Sequence, residues 1–214
     1  MTRDPLGRGR PRDEHIDTAV LQATAHTLEK SGYRAVAIED IARRAGVSKS
    51  AVYRRWPNRR RLVLAVLAER LGRLEAPDTG CTLCDLHECL VLASEALSRV
   101  GAETLAQLTA EGAGEPDLHE ELLAVVVEPP RRAVHRTLFT ARQRGDLADG
   151  VDLPLAVDQL CALTFYRQLF GQAPLGPDEI EAMVTAMLRG IAADYSALLR
   201  EYAVHESHDP AAPA

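Results

Sequence analysis

Apolar residues recur at helical spacing along almost the whole chain. Ile16, Ala19, Val20, Ala23 and Thr27 keep to one face of a segment that opens with Asp13, Glu14 and Asp17, carries Lys30 in its last turn and stops at Gly32. This predicts a first helix over about residues 13–31. A short helix over 38–45 follows, then Gly46 and Val47, then a second short helix over about 49–56 behind Ser48 as N-cap. Pro57 ends it, and Asn58 caps a fourth helix whose Leu62, Val63, Val66, Leu67, Leu71 and Leu74 form one stripe. Beyond it, helical patterns are interrupted at 112–116, 129–130, 145–154 and 171–177 by Gly and Pro, so five or six further helices are expected. No strand-like alternation appears.

These patterns divide the chain into an Arg-, Gly- and Pro-rich arm at 1–12, expected to be disordered, a compact unit at 13–74, a larger helical unit at 82–204 and a disordered tail at 205–214. The boundary falls in the stretch from Glu75 to Cys81. No stretch approaches the ~18 consecutive apolar residues of a membrane span, and the start lacks the apolar segment of a secretory signal. A cytoplasmic protein without membrane partners is expected.

Charge changes the picture. The chain carries a net charge of -6, yet residues 1–74 hold 16 Lys and Arg against 8 Asp and Glu, while the remainder holds 9 against 23. An N-terminal unit that meets a polyanion and a C-terminal unit that does not would be built this way.

Between Ile38 and Trp56 the sequence IEDIARRAGVSKSAVYRRW has the layout of a helix-turn-helix. Ile41, Ala42, Val47 and Val52 can bury where the two helices cross, and Gly46 can take the left-handed backbone of a tight turn. Ser48, Lys49, Ser50, Tyr53, Arg54 and Arg55 offer donors suited to a DNA major groove and its walls, although Tyr53 can also simply pack. Arg59, Arg60 and Arg61 occupy the first turn of a helix, where the macrodipole disfavours cations; a phosphate at that terminus would resolve the conflict. Arg8, Arg10 and Arg12 are spaced to follow a DNA backbone or enter a minor groove, the alternative being a solvated tail.

The run IEDIARRAGVSKSAVYRRWPNRRRLVL from Ile38 to Leu64 resembles the signature of the TetR/AcrR family of transcriptional regulators, in which D-I-A-x-x-A-G-V-S leads into a short recognition helix and a P-S-K cap. The resemblance covers about residues 13–64. It implies that Ser48–Arg54 is the recognition helix, that Tyr53 and Arg55 contact phosphates, and that Arg59 stands for the family's capping lysine. Ala37 departs from the usual Thr or Ser, removing a backbone contact at the start of its helix, and Asn58-Arg59 replaces Ser-Lys. The implied fold class is all-α: an N-terminal three-helix helix-turn-helix domain joined through a fourth helix to a C-terminal ligand-binding and dimerisation domain. The implied function is a repressor released by a small molecule from a pseudo-palindromic operator on double-stranded DNA.

The residues themselves also support a homodimer. Ile180, Met183, Val184, Met187, Leu188, Ile191, Tyr195 and Leu198 form an apolar seam, and Leu160, Leu163, Thr164, Arg167 and Phe170 lie on a preceding helix that could pair with it across a two-fold axis. An internal core stripe would read the same way. Two recognition helices about 34 Å apart would then face successive major grooves. Leu108, Leu122, Val126, Phe139, Phe165 and Tyr166 are candidates to line an effector pocket, and each also fits plain core.

Cys81, Cys84, His87 and Cys89 form a C-x2-C-x2-H-x-C cluster just past the boundary. On a helix Cys84 and His87 share a face and Cys81 can reach them, while Cys89 points away. Such a cluster can bind metal, respond to oxidation as a sensor of the same family, or pack inertly. No cofactor is called for. An enzyme is disfavoured because no Gly-rich phosphate loop, G-x-S-x-G or H-E-x-x-H appears, and the carboxylate-rich helices read as a solvated face. An architectural DNA-binding protein without an effector is a third reading.

Overall fold

The computed structural model describes residues 10–206, with the side chains of 15–204, and every regular element among them is helical. The N-terminal unit contains α1 (Arg10–Ser31), α2 (Ile38–Ala45), α3 (Lys49–Arg55) and α4 (Arg59–Leu71), with a 3-10 turn at Tyr33–Ala35 between the first two. The C-terminal unit contains α5 (Thr82–Ser98), α6 (Ala102–Gly112), α7 (Pro116–Leu122), α8 (Glu128–Arg144), α9 (Leu153–Leu169), α10 (Pro177–Ile191) and α11 (Tyr195–Glu206).

Boundaries differ from expectation in three places. α1 begins at Arg10, so Arg10 and Arg12 belong to its first turn rather than to an arm. Their side chains lie outside those described, as do residues 1–9 and 207–214 of the expected arm and tail. α4 stops at Leu71 because Gly72 turns to a positive φ of 63°, leaving Leu74 in the connection. Pro129-Pro130 does not interrupt its helix. Leu123–Val127 forms a π turn in which the Glu128 N–H reaches back to the Leu123 carbonyl, and 116–144 is one continuous rod. The prolines then fall in the opening turn of an α-helical segment, where a missing N–H costs least.

Two apolar cores organise these helices. The first gathers Val20, Tyr33, Ile41, Val52, Leu62 and Leu67 with Leu97, Leu105, Leu108, Leu118, Leu122 and Val126. It therefore crosses the sequence boundary. On α4, Leu62, Val63, Leu64, Val66 and Leu67 are all buried, which leaves the helix clamped between the two units. At about 1.5–3 kcal/mol for each buried aliphatic side chain, this contact outweighs any single surface ion pair.

The second core joins α5, α8, α9, α10 and α11 through Leu86, Leu90, Leu138, Leu160, Ile180, Val184, Leu188 and Leu198. Its far end is closed by Ala148 N–H to the Ile191 carbonyl at 2.7 Å and Ala193 N–H to the Asp146 carbonyl at 3.0 Å. Phe165 packs against both cores and so stands at their seam.

Candidate nucleic-acid interface

α2 and α3 cross at Ile41, Ala42 and Val52, all buried, with Val47 partly so. Gly46 makes the sharp turn between them in the left-handed region, at φ 67° and ψ 27°, where a side chain would be strained. The Ser48 hydroxyl accepts the Ala51 N–H at 3.2 Å and starts α3, while Val52 pins the helix to the core by its inner face. The outer face is left to polar groups: Ser48, Lys49, Ser50, Tyr53 and Arg54 are all exposed.

Four of these five have intramolecular partners, Tyr53 through its hydroxyl, which donates to Glu39 at 3.4 Å. Ser48 and Ser50 hydroxyls lie 3.1 Å apart. Lys49 pairs with Glu39 of α2 and sits 5.9 Å from the Tyr53 ring centroid. The Lys49–Glu39 hydrogen bond lifts the Lys49 ammonium above its usual range and holds Glu39 below its own. Arg54 projects outward with no hydrogen bond or ion pair among the described residues. Arg55, the next residue, turns inward, pairs with Asp17 of α1 and donates to the Ala51 carbonyl at 3.2 Å, its side chain only 14% exposed. It braces α3 against α1, so a phosphate at Arg55 would compete with Asp17 for the same cation.

At the start of α4 the Asn58 side chain accepts the Arg61 N–H at 2.9 Å. The three arginines of the first turn face carboxylates of the C-terminal unit. Arg59 donates to Glu111 at 2.9 Å, Arg60 donates to Glu111 at 2.8 Å and pairs with Glu115, and Arg61 donates to Glu121 at 3.1 Å. The buried Tyr33 hydroxyl also donates to Glu111, at 2.7 Å, and the Arg59 guanidinium lies over the Tyr33 ring 4.6 Å from its centroid. Burial pushes the Glu111 carboxyl up, but the Tyr33 hydroxyl and the two guanidiniums outweigh it and hold the group below the usual carboxylate range. Burial, then the hydrogen bond and charge of Glu111, push the Tyr33 phenol up to about 12.

The cations that the macrodipole disfavours are thus offset by glutamates at the end of α6 and on and beside α7. A phosphate is not needed to explain them. Nothing local in the sequence marks Glu111, Glu115 and Glu121, whose partners are more than fifty residues away, and their acidic helices look like a solvated face.

The family model described as "Bacterial regulatory proteins, tetR family" matches residues 20–66, and that described as "Tetracyclin repressor-like, C-terminal domain" matches residues 76–187. The chain belongs to the TetR family. It is an HTH-type transcriptional regulator of a family in which ligand-responsive repressors are typical. The uncharacterized HTH-type regulator YdeS of Bacillus subtilis (strain 168) is 30% identical over 188 residues, covering 87% of this chain and 94% of its own. The TetR family regulator SCO0332 is similar in structure, with a TM-score of 0.64, 27% identity and coverage of 82% of this chain and 98% of its own. A TetR regulator from Agrobacterium tumefaciens has a TM-score of 0.65 at 20% identity, covering 84% and 96%.

Within this TetR chain the six expected pocket residues do not converge. Leu108, Leu122 and Val126 are sealed in the first core, Phe165 lies at the seam, and Tyr166 and Phe139 are about half exposed on α9 and α8. Phe139 instead lines an open groove of about 510 Å³ with Arg132, His135, Arg136, Pro154 and Val157. The expected dimer seam also splits. Leu160, Val184 and Leu188, like Ile180, are inner core residues, because the most apolar face of α10 packs on α5. Leu163, Met183, Met187, Ile191 and Tyr195 flank that core, partly buried. Arg167 is tied to Glu179 at 2.6 and 3.0 Å and joins α9 to α10 of the same chain. Phe170, the C-cap of α9, is 66% exposed, with its ring 5.0 Å from that of Tyr166; Leu169 is exposed beside them and Leu155 near the other end of the helix.

Of the cysteine cluster, Cys81 and Cys84 form a disulfide, His87 Nε2 lies 3.2 Å from the Pro177 carbonyl, and Cys89 is buried. Among the described residues no three such groups come together as a metal site. No described helix is long and apolar enough to cross a membrane.

Proposed function

We propose that this TetR-family regulator binds operator DNA as a homodimer through the outer face of α3 and is released by a small molecule taken up by its C-terminal unit. The observation that carries this reading is the rigid mounting of α3: capped by Ser48, pinned by Val52 and braced by Arg55, it presents Lys49, Ser50, Tyr53 and Arg54 together. Arg54 is the base or phosphate contact best placed to act, since no internal partner must be displaced. Arg10 and Arg12, in the first turn of α1, are assigned to the DNA backbone.

Dimerisation is assigned to the exposed Leu155, Tyr166, Leu169 and Phe170 of α9 with the small-residue face Ala182, Ala186 and Gly190 of α10. Exposed apolar side chains grouped in this way mark an interaction surface.

The effector is assigned to the interior seam where α9 meets α6. Four helical threonines, Thr24, Thr27, Thr109 and Thr137, return their hydroxyls to the carbonyl four residues back, whereas the buried Thr164 Oγ has no hydrogen-bond partner. An unpaired buried hydroxyl costs about 1–3 kcal/mol, which a ligand's polar group would relieve. A ligand that moves α6 or α7 pulls on Glu111, Glu115 and Glu121 and so on the start of α4, which follows α3 after three residues. Reversing a 1:99 population requires about 5.5 kcal/mol of preference for the released form.

The test is binding to DNA from the region upstream of the protein's own gene, in rising salt, with Arg54→Ala as control. Sequence-specific binding weakened by salt and by the substitution supports the reading. Absence of a specific site there and in genome-wide selection overturns it.

A further inference from the structure

We infer that the Cys81–Cys84 pair is a thiol–disulfide exchange site that takes a low-molecular-weight thiol or its disulfide. Cys81 is the N-cap of α5, Cys84 lies in its first turn, and the two are bridged. A bridge across one helical turn joins no two elements, and the entropy removed from an unfolded chain grows with the size of the closed loop. Three residues of separation close almost the smallest loop possible, so stapling the fold does not account for it.

The two sulfurs stand in unequal surroundings. Cys81 is 1% exposed in the second core, whereas Cys84 is partly open to solvent. An incoming thiolate therefore attacks Cys84 Sγ, forming a bond between the two sulfurs and breaking the Cys81–Cys84 bond. The electron pair stays on Cys81 Sγ. That sulfur accepts the Cys84 N–H at 3.2 Å and stands at the N-terminus of a 17-residue helix, and both features favour an anion. The adjacent buried Asp85 carboxylate opposes it, although Asp85 already accepts the Thr79 N–H and hydroxyl at 3.0 and 2.7 Å. A second thiolate then attacks the small molecule's sulfur in the mixed disulfide, releasing Cys84 and the small disulfide. Two electrons pass from two small thiols to the protein pair, and both cysteines take protons from water. Reversed, the sequence oxidises the pair.

Cys89 and Cys161 supply an internal contrast. Both are buried as Cys81 is, but they stand in the middle of α5 and α9, away from any helix N-terminus, and burial pushes their thiols up to about 12, so neither offers a competing thiolate. The pair also ends the connection between α4 and α5, where the Cys81 N–H donates to the Thr79 hydroxyl at 3.3 Å. Its redox state therefore acts on the last residues of that connection.

The experiment equilibrates the full chain with mixtures of reduced and oxidised glutathione, quenches with acid, alkylates, and maps the modified peptides. Cys81 and Cys84 are expected to convert together as one two-electron couple, with Cys89 and Cys161 protected until the protein unfolds. Cys81→Ser is expected to trap glutathione on Cys84 many-fold faster than Cys84→Ser traps it on Cys81. Circular dichroism checks that each variant is folded. A pair that stays reduced at every ratio, one that resists excess glutathione until unfolding, or equal trapping in the two folded variants overturns the inference. None of these readouts depends on DNA binding.

Discussion

The Arg59 guanidinium meets Glu111 at 2.9 Å across 52 residues of sequence, while lying 4.6 Å above the ring of Tyr33, whose hydroxyl holds the same carboxylate. One carboxylate thereby joins the turn after α1, the start of α4 and the end of α6. Arg59 is also the residue that the TetR resemblance directs to a DNA phosphate, so phosphate and Glu111 compete for one cation.

Glu111→Gln is accordingly expected to tighten operator binding about threefold to tenfold, or roughly 0.7–1.4 kcal/mol, as measured by fluorescence anisotropy at fixed salt. The same change should lower folding stability by about 1 kcal/mol, because the ion pairs are only partly exposed. Weaker binding in the variant would show instead that Glu111 places α4 for DNA.

The Glu111 cluster also has a pH signature. A carboxyl held below its usual range contributes stability that is present above the unfolded value of about 4.3 and lost as pH falls through the folded value. Tyr33, raised to about 12, contributes stability that is full below about 10 and lost as pH rises toward 12. Ultraviolet titration should show one tyrosine ionising about two pH units late, coincident with unfolding. Tyr33→Phe should remove that late step, and its persistence would refute the assignment.

Arg54 and Arg55 are neighbours with opposite fates. Arg54→Ala should cost operator affinity by about 1–3 kcal/mol and leave the melting temperature unchanged. Arg55→Ala should lower the melting temperature, because it removes the brace between α3 and Asp17 of α1 and leaves the Asp17 carboxylate without that cation. Paired binding isotherms and melting curves separate the two roles; equal melting losses for both arginines would contradict the orientations described.

The two apolar faces of the α9–α10 pair can be told apart in the same way. Phe170→Glu, on the 66% exposed ring, should convert dimer to monomer in sedimentation velocity with the helix content intact. Leu188→Ala, in the second core, should cost about 2–5 kcal/mol of stability. If the Phe170 variant sediments as wild type, the proposed interface on α9 and α10 is wrong.

Much of the N-terminal unit was legible from local rules. Ser48 and Asn58 as caps, Gly46 as the turn and the burial of Ile41, Ala42 and Val52 follow from backbone chemistry acting over four or five residues, and each is found where the sequence places it. The separation of basic and acidic halves was legible too, since it is a count. Periodicity identified the apolar faces of α4 and α10.

Periodicity does not say what covers a face. That Val184 and Leu188 turn inward to α5, that α4 is clamped within a core shared by both units, and that Arg59, Arg60 and Arg61 meet Glu111, Glu115 and Glu121 were decided only by tertiary packing. The physical reason is range. Caps, turns and helical stripes are set by neighbours a few bonds away, whereas a buried face or an ion pair is completed by whichever distant element the chain's closure brings beside it.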